Sequence, residues 1–348
     1  MGPYRLFGSN GSPYSVKVRS YLRYKEVDHV WLVRNSPEAL AEHKKYSKLP
    51  LVPTLITPDG VGLQDSTPII EQLESLFQDP SIYPPTLLGR FMSDLLEEFA
   101  DEWGNKWMMH LRWYSSKSGP TAEWYSRKIA AEFCSGAPVG PEAMERVDQG
   151  AQAFRERMLD RGFTVGSNSS TATIIEQSYL DTLLLLERHL DGRAFLFGRR
   201  PALADFGLAG QLYQCFGDLY AGELMRLHAP HVALWCEAMV NPRMVGDGAF
   251  EDWSSLASTL EPLIASQVQM FLRWSDGVAK ALRAQKTELR LDLGAGQQWY
   301  QTVGGPQKYH AKSLQELRRK FAQARCAELE AVLTRCGCLS LLQESSQL

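Results

Sequence analysis

Cysteine is missing from the leading third of this 348-residue chain: none occurs before Cys134. A mechanism that passes through a mixed disulfide on the protein therefore has no sulfur to use in residues 1–133. The six cysteines present (Cys134, Cys215, Cys236, Cys326, Cys336 and Cys338) are scattered. That pattern suits free thiols in a reducing compartment, so a cytoplasmic protein is expected. Only Cys336-Gly337-Cys338 is close-set, and without a second ligand pair it predicts no metal. Also absent is any run approaching the roughly 18–20 consecutive apolar residues of a spanning helix. The first residues lack a basic-then-apolar leader, and Leu6 stands where a myristoylation motif wants Ser or Thr. A formal charge of −3 lacks the basic excess of a nucleic-acid or anionic-membrane binder, so neither partner is expected. The cluster Arg318-Arg319-Lys320 reads as the wet face of a helix. Glycines in 294–305 lack the spacing of a phosphate loop and read as a connector.

What is present suits two domains with an appendage. At 44% hydrophobic residues there is ample material for a core. Residues 1–80 alternate strand and helix signals in the order β-α-β-α-β-β-α. Tyr4–Phe7 is a short apolar run, and Ser12-Pro13 opens an amphipathic helix with Val18, Tyr21 and Leu22 on its buried stripe. His29–Arg34 reads as a strand and residues 37–46 as a helix starting at Ser36-Pro37. Thr54–Ile56 and Val61–Leu63 are strands joined by the turn Pro58-Asp59-Gly60. A helix follows Ser66-Thr67-Pro68. The sheet is therefore mixed, and the fold class is α/β plus all-α.

Residues 79–85 read as a linker, and residues 88–245 as an all-helical bundle domain. Its helices are predicted over 88–113, 121–134, 142–160, 174–190, 202–220 and 232–239, with a loop at Ser135–Pro141. Residues 246–348 form a C-terminal extension: a helix over Leu256–Leu282, a strand-like alternation at Leu289, Leu291 and Leu293, and a helix over Leu314–Leu333.

Ser12 sits where a strand stops and a helix starts. The unpaired N–H groups and partial positive charge there favour a bound thiolate, phosphate or carboxylate. Capping its own helix is the alternative role. Glu97, Glu98, Asp101 and Glu102 lack the paired Glu-x-x-His pattern of a bundle metal site, so a solvated acidic face opposite buried aromatics is expected.

Together these elements resemble the cytosolic glutathione transferase family, well over residues 1–80 and loosely over 88–245. Ser12-Pro13-Tyr14-Ser15-Val16-Lys17-Val18-Arg19 looks like the active-site stretch of the serine-type zeta class and, less closely, the Cys-Pro-Phe stretch of the omega class. Leu51-Val52-Pro53-Thr54-Leu55 resembles the family's Val-Pro segment, and Gln64-Asp65-Ser66-Thr67-Pro68 its glutathione-binding helix start. Phe195–Phe206 resembles its helix-capping stretch. The resemblance implies a thioredoxin-like N-terminal domain, a helical second domain, glutathione as co-substrate, and a homodimer. It places Ser12 at the catalytic position, where its O–H donates to the glutathione sulfur. Tyr4, Ser9 and Ser15 are rival hydroxyls. It makes Val52-Pro53 a cis bond that turns Val52's backbone toward the tripeptide, and gives Asp65 and Ser66 the γ-glutamyl ammonium and carboxylate. Tyr14, Trp103, Trp107 and His110 become candidate walls of the electrophile pocket, with core packing as the alternative for the helical trio.

The chain departs from the family at four places. Asp65 replaces a longer acid or amide, and Leu51 replaces a polar residue for which Lys48 or Lys45 is the substitute. Ala202 stands where a capping Ser or Thr pairs with Asp205, and the extension exceeds the family length. The implied function is thiol activation for attack on a small hydrophobic electrophile, or a glutathione-dependent isomerisation. The alternatives are a non-catalytic binding or assembly scaffold and a glutathione-dependent reductase.

Overall fold

The structure, a computed structural model, describes residues 2–134, 140–294, 296–305 and 307–343. Its first eighty residues hold β1 (Tyr4–Phe7), α1 (Pro13–Tyr24), β2 (His29–Leu32), α2 (Pro37–Tyr46), β3 (Thr54–Ile56), β4 (Gly62–Gln64) and α3 (Ser66–Leu76). The sheet order is β2-β1-β3-β4, with β1 parallel to β2 and β3 antiparallel to both neighbours. Local chemistry explains the helix starts. Ser12 Oγ accepts from the Ser15 N–H at 3.2 Å and Ser36 Oγ from the Ala39 N–H at 3.1 Å, each followed by proline at the first helical position. β2 ends two residues before the predicted Arg34, and β4 begins one residue later than predicted, because Gly62, not the exposed Val61, is the first residue to pair with β3. Both Val52–Pro53 and Asp79–Pro80 are cis.

After the linker, α4 (Leu87–Phe99) continues without a break through a π-helical turn (Ala100–Gly104), α5 (Asn105–Met109) and a second π turn (His110–Tyr114). Then come α6 (Gly119–Phe133), α7 (Pro141–Leu159), the short α8 (Gly162–Val165) and α9 (Ala172–Leu190). Most of the expected Ser135–Pro141 loop lies outside the described residues. The helix expected over 202–220 is two, α10 (Leu203–Phe216) and α11 (Leu219–His228), followed by α12 (Pro230–Ala238). Asp205 keeps half of its capping pair: its carboxylate accepts from the Ala202 N–H at 2.8 Å, and also from the Leu196 N–H and Trp235 Nε1 at 2.9 and 3.1 Å.

The extension holds α13 (Trp253–Leu263), a π turn (Ile264–Val268) that follows the internal Pro262, and α14 (Gln269–Arg283). β5 (Glu288–Asp292) then pairs antiparallel with β6 (Gln298–Thr302), so the glycine-rich segment forms a hairpin rather than a plain connector. The expected helix over 314–333 starts earlier and breaks at Arg325-Cys326, giving α15 (Gln307–Ala324) and α16 (Ala327–Arg335), before α17 (Leu339–Gln343). Arg318, expected on a wet face, is buried instead: it donates to Asp276 at 2.9 Å and to the Leu341 carbonyl.

The main hydrophobic core runs from Leu6 of the sheet through the helices to Leu342, with a smaller cluster of Trp113, Ala122, Tyr125 and Ile129 under α6. Trp103 packs on Trp274 and Trp299 with ring centroids 5.8 and 5.4 Å apart, and Phe91 on Phe321 at 5.5 Å. No helix among the described residues is long and apolar enough to cross a membrane.

Candidate functional site

A cleft of about 570 Å³ opens where the loop before β3 meets the N-terminus of α3. Tyr14, Val52, Pro53, Asp65 and Ser66, five of the site residues expected from sequence, line it together with Lys48. Its Val52 rim is held by Gln64, the first residue of the Gln64–Pro68 motif, to which the sequence assigns no role of its own. Gln64 Oε1 accepts from the Lys48 and Leu49 N–H groups at 3.1 and 3.0 Å. Its Nε2 donates to the Leu49 and Leu51 carbonyls at 2.8 and 3.0 Å. Lys48 rather than Lys45 reaches the cleft.

At the other end, Ser66 is almost fully buried at the start of α3, and its Oγ has no hydrogen-bond partner. A buried hydroxyl left without a partner beside unpaired helix N–H groups is a place for an incoming carboxylate. Asp65 precedes it with φ +82°, a left-handed conformation unusual for a residue with a side chain. Its carboxylate does not cap α3; it accepts from Tyr309 Oη at 2.6 Å. Tyr309 and His310 bring α15 of the extension to the edge of the cleft, and no motif announced either.

Ser12 does not line the cleft. It is half-buried, and its Oγ accepts from α1 while its own proton is not committed to any bond in the structure. The preceding loop is clasped from above by α6. Ser9 Oγ donates to Glu132 at 3.0 Å, the Asn10 N–H donates to Glu132 at 2.9 Å, and Gln214 Nε2 donates to the Asn10 carbonyl at 2.9 Å. Among the rivals, Ser15 is fully buried and Tyr4 does not line the cleft. Tyr14 does line it, but its hydroxyl donates to the Asp101 carbonyl at 2.9 Å and accepts from Asn105 Nδ2 at 3.3 Å. Burial, then the Asp101 charge, holds its pKa well above the usual range for a phenol.

Trp103, Trp107 and His110 do not form walls of this cleft. Both indole Nε1 groups donate to Ser178 Oγ, at 2.8 and 3.2 Å, and Ser178 donates to Gln267 at 2.8 Å. His110 lies 2.8 Å from Ser167 Oγ and 3.2 Å from Glu176. All three side chains are core, covered by α9 and the extension.

The acidic face beside them is not solvated either: Glu97, Asp101 and Glu102 are buried because α15 packs over them. Lys17 Nζ binds Glu97, Asp101 Oδ2 at 2.7 Å and Thr67 at 2.9 Å, tying α1 to α4. His310 contacts Glu102 and Ser313 contacts Glu98. Crowded carboxyls raise one another. Burial, then the Glu97 charge, pushes Glu98 up to about 8; burial, against the pull of Lys17, pushes Asp101 up to about 7. Among the described residues, no group of three or more His, Cys, Asp or Glu is placed to hold a metal ion.

Residues 6–81 match the family model described as the glutathione S-transferase N-terminal domain. The chain is also similar to solved structures. One is a glutathione S-transferase of Methylobacterium radiotolerans in complex with glutathione sulfonate, at 18% identity, covering 74% of this chain and 94% of that one, TM-score 0.42. Another, from Methylobacillus flagellatus with glutathione bound, is 21% identical, covers 69% and 95%, and has a TM-score of 0.39. The beta-etherase LigF of Sphingobium sp. strain SYK-6 is 19% identical, covers 75% and 100%, with a TM-score of 0.45. No curated protein matches the chain. The sequence resemblance thus has its counterpart in the N-terminal domain: the chain carries an N-terminal domain of the glutathione S-transferase family, with a largely helical remainder.

Proposed function

We propose that the cleft binds glutathione and that the protein is a glutathione transferase-like enzyme acting on a small hydrophobic electrophile or in a glutathione-dependent isomerisation. The observation that carries this reading is the unpartnered Ser66 hydroxyl, buried at a helix start inside a cleft of the matched domain. In this reading Ser66 takes the γ-glutamyl carboxylate, Asp65 its ammonium, the Val52 backbone the cysteinyl peptide, and Lys48 the glycyl carboxylate. Ser12 lies outside the cleft lining, so its place on the sulfur rests on the family resemblance, with its O–H donating a hydrogen bond to the thiolate. A hydrogen bond to a charged partner contributes about 1.5–3 kcal/mol, and 1.4 kcal/mol corresponds to one pKa unit. Together with the helix N-terminus, this lowers the bound thiol by about one to two units. The thiol proton leaves to solvent and the thiolate forms a carbon–sulfur bond with the electrophile, which either expels its leaving group with the bonding electron pair or, in an addition, takes that pair onto the adjacent atom and a proton from solvent. Residues 1–80 then serve as the glutathione domain, 88–245 as the helical domain, and 246–348 as a cover over both, in a cytoplasmic homodimer as the resemblance implies.

A second reading, a binding or assembly scaffold, is favoured by two contacts. Tyr309 already occupies the Asp65 carboxylate, and Glu132 clasps the loop before Ser12. A thermal-shift titration with reduced glutathione tests both readings, because a ligand of the folded state raises the melting point by mass action. A dose-dependent rise that Ser66→Ala largely removes is expected. No rise at millimolar glutathione overturns the reading, and a rise without turnover of a generic electrophile selects the scaffold.

A further inference from the structure

Among the described residues that line the cleft there is a single imidazole, and it comes from the extension rather than from the matched domain. His310 of α15 is buried in the cleft wall, its ring edge-on to Trp274 at a centroid distance of 5.0 Å. Its Nδ1 meets the buried Glu102 carboxylate, which the π turn Ala100–Gly104 carries to the same wall. Such turns are rare and gather at functional sites. Burial lowers the His310 pKa to about 4, so the ring is neutral at pH 7. A neutral imidazole has one N–H. Nδ1–H donates to Glu102, which leaves Nε2 with its lone pair, and no described residue bonds Nε2. A base oriented by a buried acid is the recurrent arrangement for relieving a nucleophile of its proton.

Two bonds bracket this pair against the tripeptide site. Tyr309, the preceding residue, donates to Asp65 at 2.6 Å. Tyr14, two residues beyond Ser12, donates to the carbonyl of Asp101, next to Glu102, at 2.9 Å. The other charged groups at the cleft are engaged or unable to accept. Asp65 holds the Tyr309 proton, Asp101 is paired with Lys17 at 2.7 Å, and Lys48 offers only donors. We propose that His310 Nε2 takes the glutathione thiol proton and that the favoured electrophile is a conjugated carbonyl compound. This rests on the glutathione reading and adds the atom through which the proton passes. The S–H bond breaks with its electron pair kept by sulfur, and Nε2–H forms, the Glu102 carboxylate facing the new imidazolium charge. The sulfur pair makes the carbon–sulfur bond at the β-carbon while the π pair moves onto the carbonyl oxygen. The proton then passes from Nε2 to the α-carbon as the carbonyl re-forms, which leaves the imidazole neutral again. A substitution has no use for that return, because its leaving group departs as an anion and the proton goes on to solvent.

Turnover of reduced glutathione by the full chain with 4-phenylbut-3-en-2-one, an enone, and with 1-chloro-2,4-dinitrobenzene, an aryl chloride, tests the proposal. His310→Ala is expected to lower the enone kcat by about 10²-fold or more, and by at least about tenfold more than the aryl chloride kcat. Added imidazole, filling the vacated space, is expected to restore enone turnover by about tenfold or more, which a merely structural role would not allow. Glu102→Gln keeps an acceptor for Nδ1–H but removes the charge facing the imidazolium. It lowers the enone kcat by about tenfold with the glutathione KM unchanged, and decides the matter if His310→Ala does not fold. The proposal is overturned if both substrates lose equally, if imidazole restores nothing, if Glu102→Gln leaves the enone kcat intact, or if the native protein binds glutathione yet leaves the enone unreacted. Thermal shift reads glutathione binding separately, and both variants retain the rise in melting temperature. Its absence in the native protein overturns the underlying reading instead.

Discussion

Replacing Lys106 with methionine should make this protein more stable. Lys106 is fully buried, and its Nζ has no hydrogen-bond partner. The amine faces indoles instead: it lies 3.5 Å from the Trp274 ring centroid, 5.4 Å from Trp103 and 6.0 Å from Trp299. Burial drives its pKa well below the ordinary lysine value. Keeping such an amine neutral at pH 7, against its usual value near 10.4, costs about 1.4 kcal/mol for each of roughly three pH units. The neutral amine makes no cation–π pair with the indoles, so that contact does not offset the cost. Methionine keeps the unbranched stem and fills irregular gaps, at a packing cost below about 1.5 kcal/mol. The balance predicts a stabilisation of about 3 kcal/mol at pH 7. The pH dependence fixes the sign. Because the folded-state pKa is depressed, the unfolded chain binds the extra proton between that value and 10.4. Wild-type stability therefore climbs by up to about 1.4 kcal/mol per pH unit in this window, and the variant lacks that climb. Urea denaturation of both proteins at pH 7 and pH 9 reads the difference, which should shrink strongly at the higher pH. A variant destabilised by more than about 1 kcal/mol at both pH values would show that the indoles hold a charged ammonium, and the reasoning fails.

Ser12→Ala should leave glutathione affinity within a few-fold but raise the bound thiol's pKa by about one to two units; an unchanged ultraviolet thiolate signal removes Ser12 from the chemistry. Tyr309→Phe frees the Asp65 carboxylate, and with Tyr309 half exposed the expected gain in glutathione affinity is about two- to fivefold by calorimetry. A loss of affinity instead would mean that the phenol, not the acid, serves the ligand. Asp205→Ala leaves three N–H donors in the core without an acceptor and should cost about 3–5 kcal/mol in chemical denaturation, enough to expose Trp235 to quencher.

The N-terminal domain was legible because its signals are local. Ser12-Pro13 and Ser36-Pro37 start helices, and Pro58-Asp59-Gly60 turns a hairpin, without help from distant residues. The cleft residues Val52, Pro53, Asp65 and Ser66 were legible only through the family resemblance, which sets them on the segments flanking the β3–β4 hairpin. The helical trio failed for a physical reason. Periodicity shows that Trp103, Trp107 and His110 share an apolar stripe, but not what covers it. Ser178, Gln267 and the indoles of the extension cover it here. The acidic face was misjudged in the same way, because its cover arrives from α15, more than 200 residues later. Tyr309, 244 positions from Asp65, and Lys106 in its cage of indoles depend wholly on that tertiary meeting.

Helix α15 spans a seam. Through Tyr309 it grips the end of the sheet domain; through Lys320 it holds Glu71 of that domain at 2.6 Å and Asp94 of the helical one at 3.1 Å. A single strut bolted to both halves resists any rocking of one against the other. The mouth of the cleft is thereby held at one width, and a guest enters by fitting that gap rather than by prising it wider.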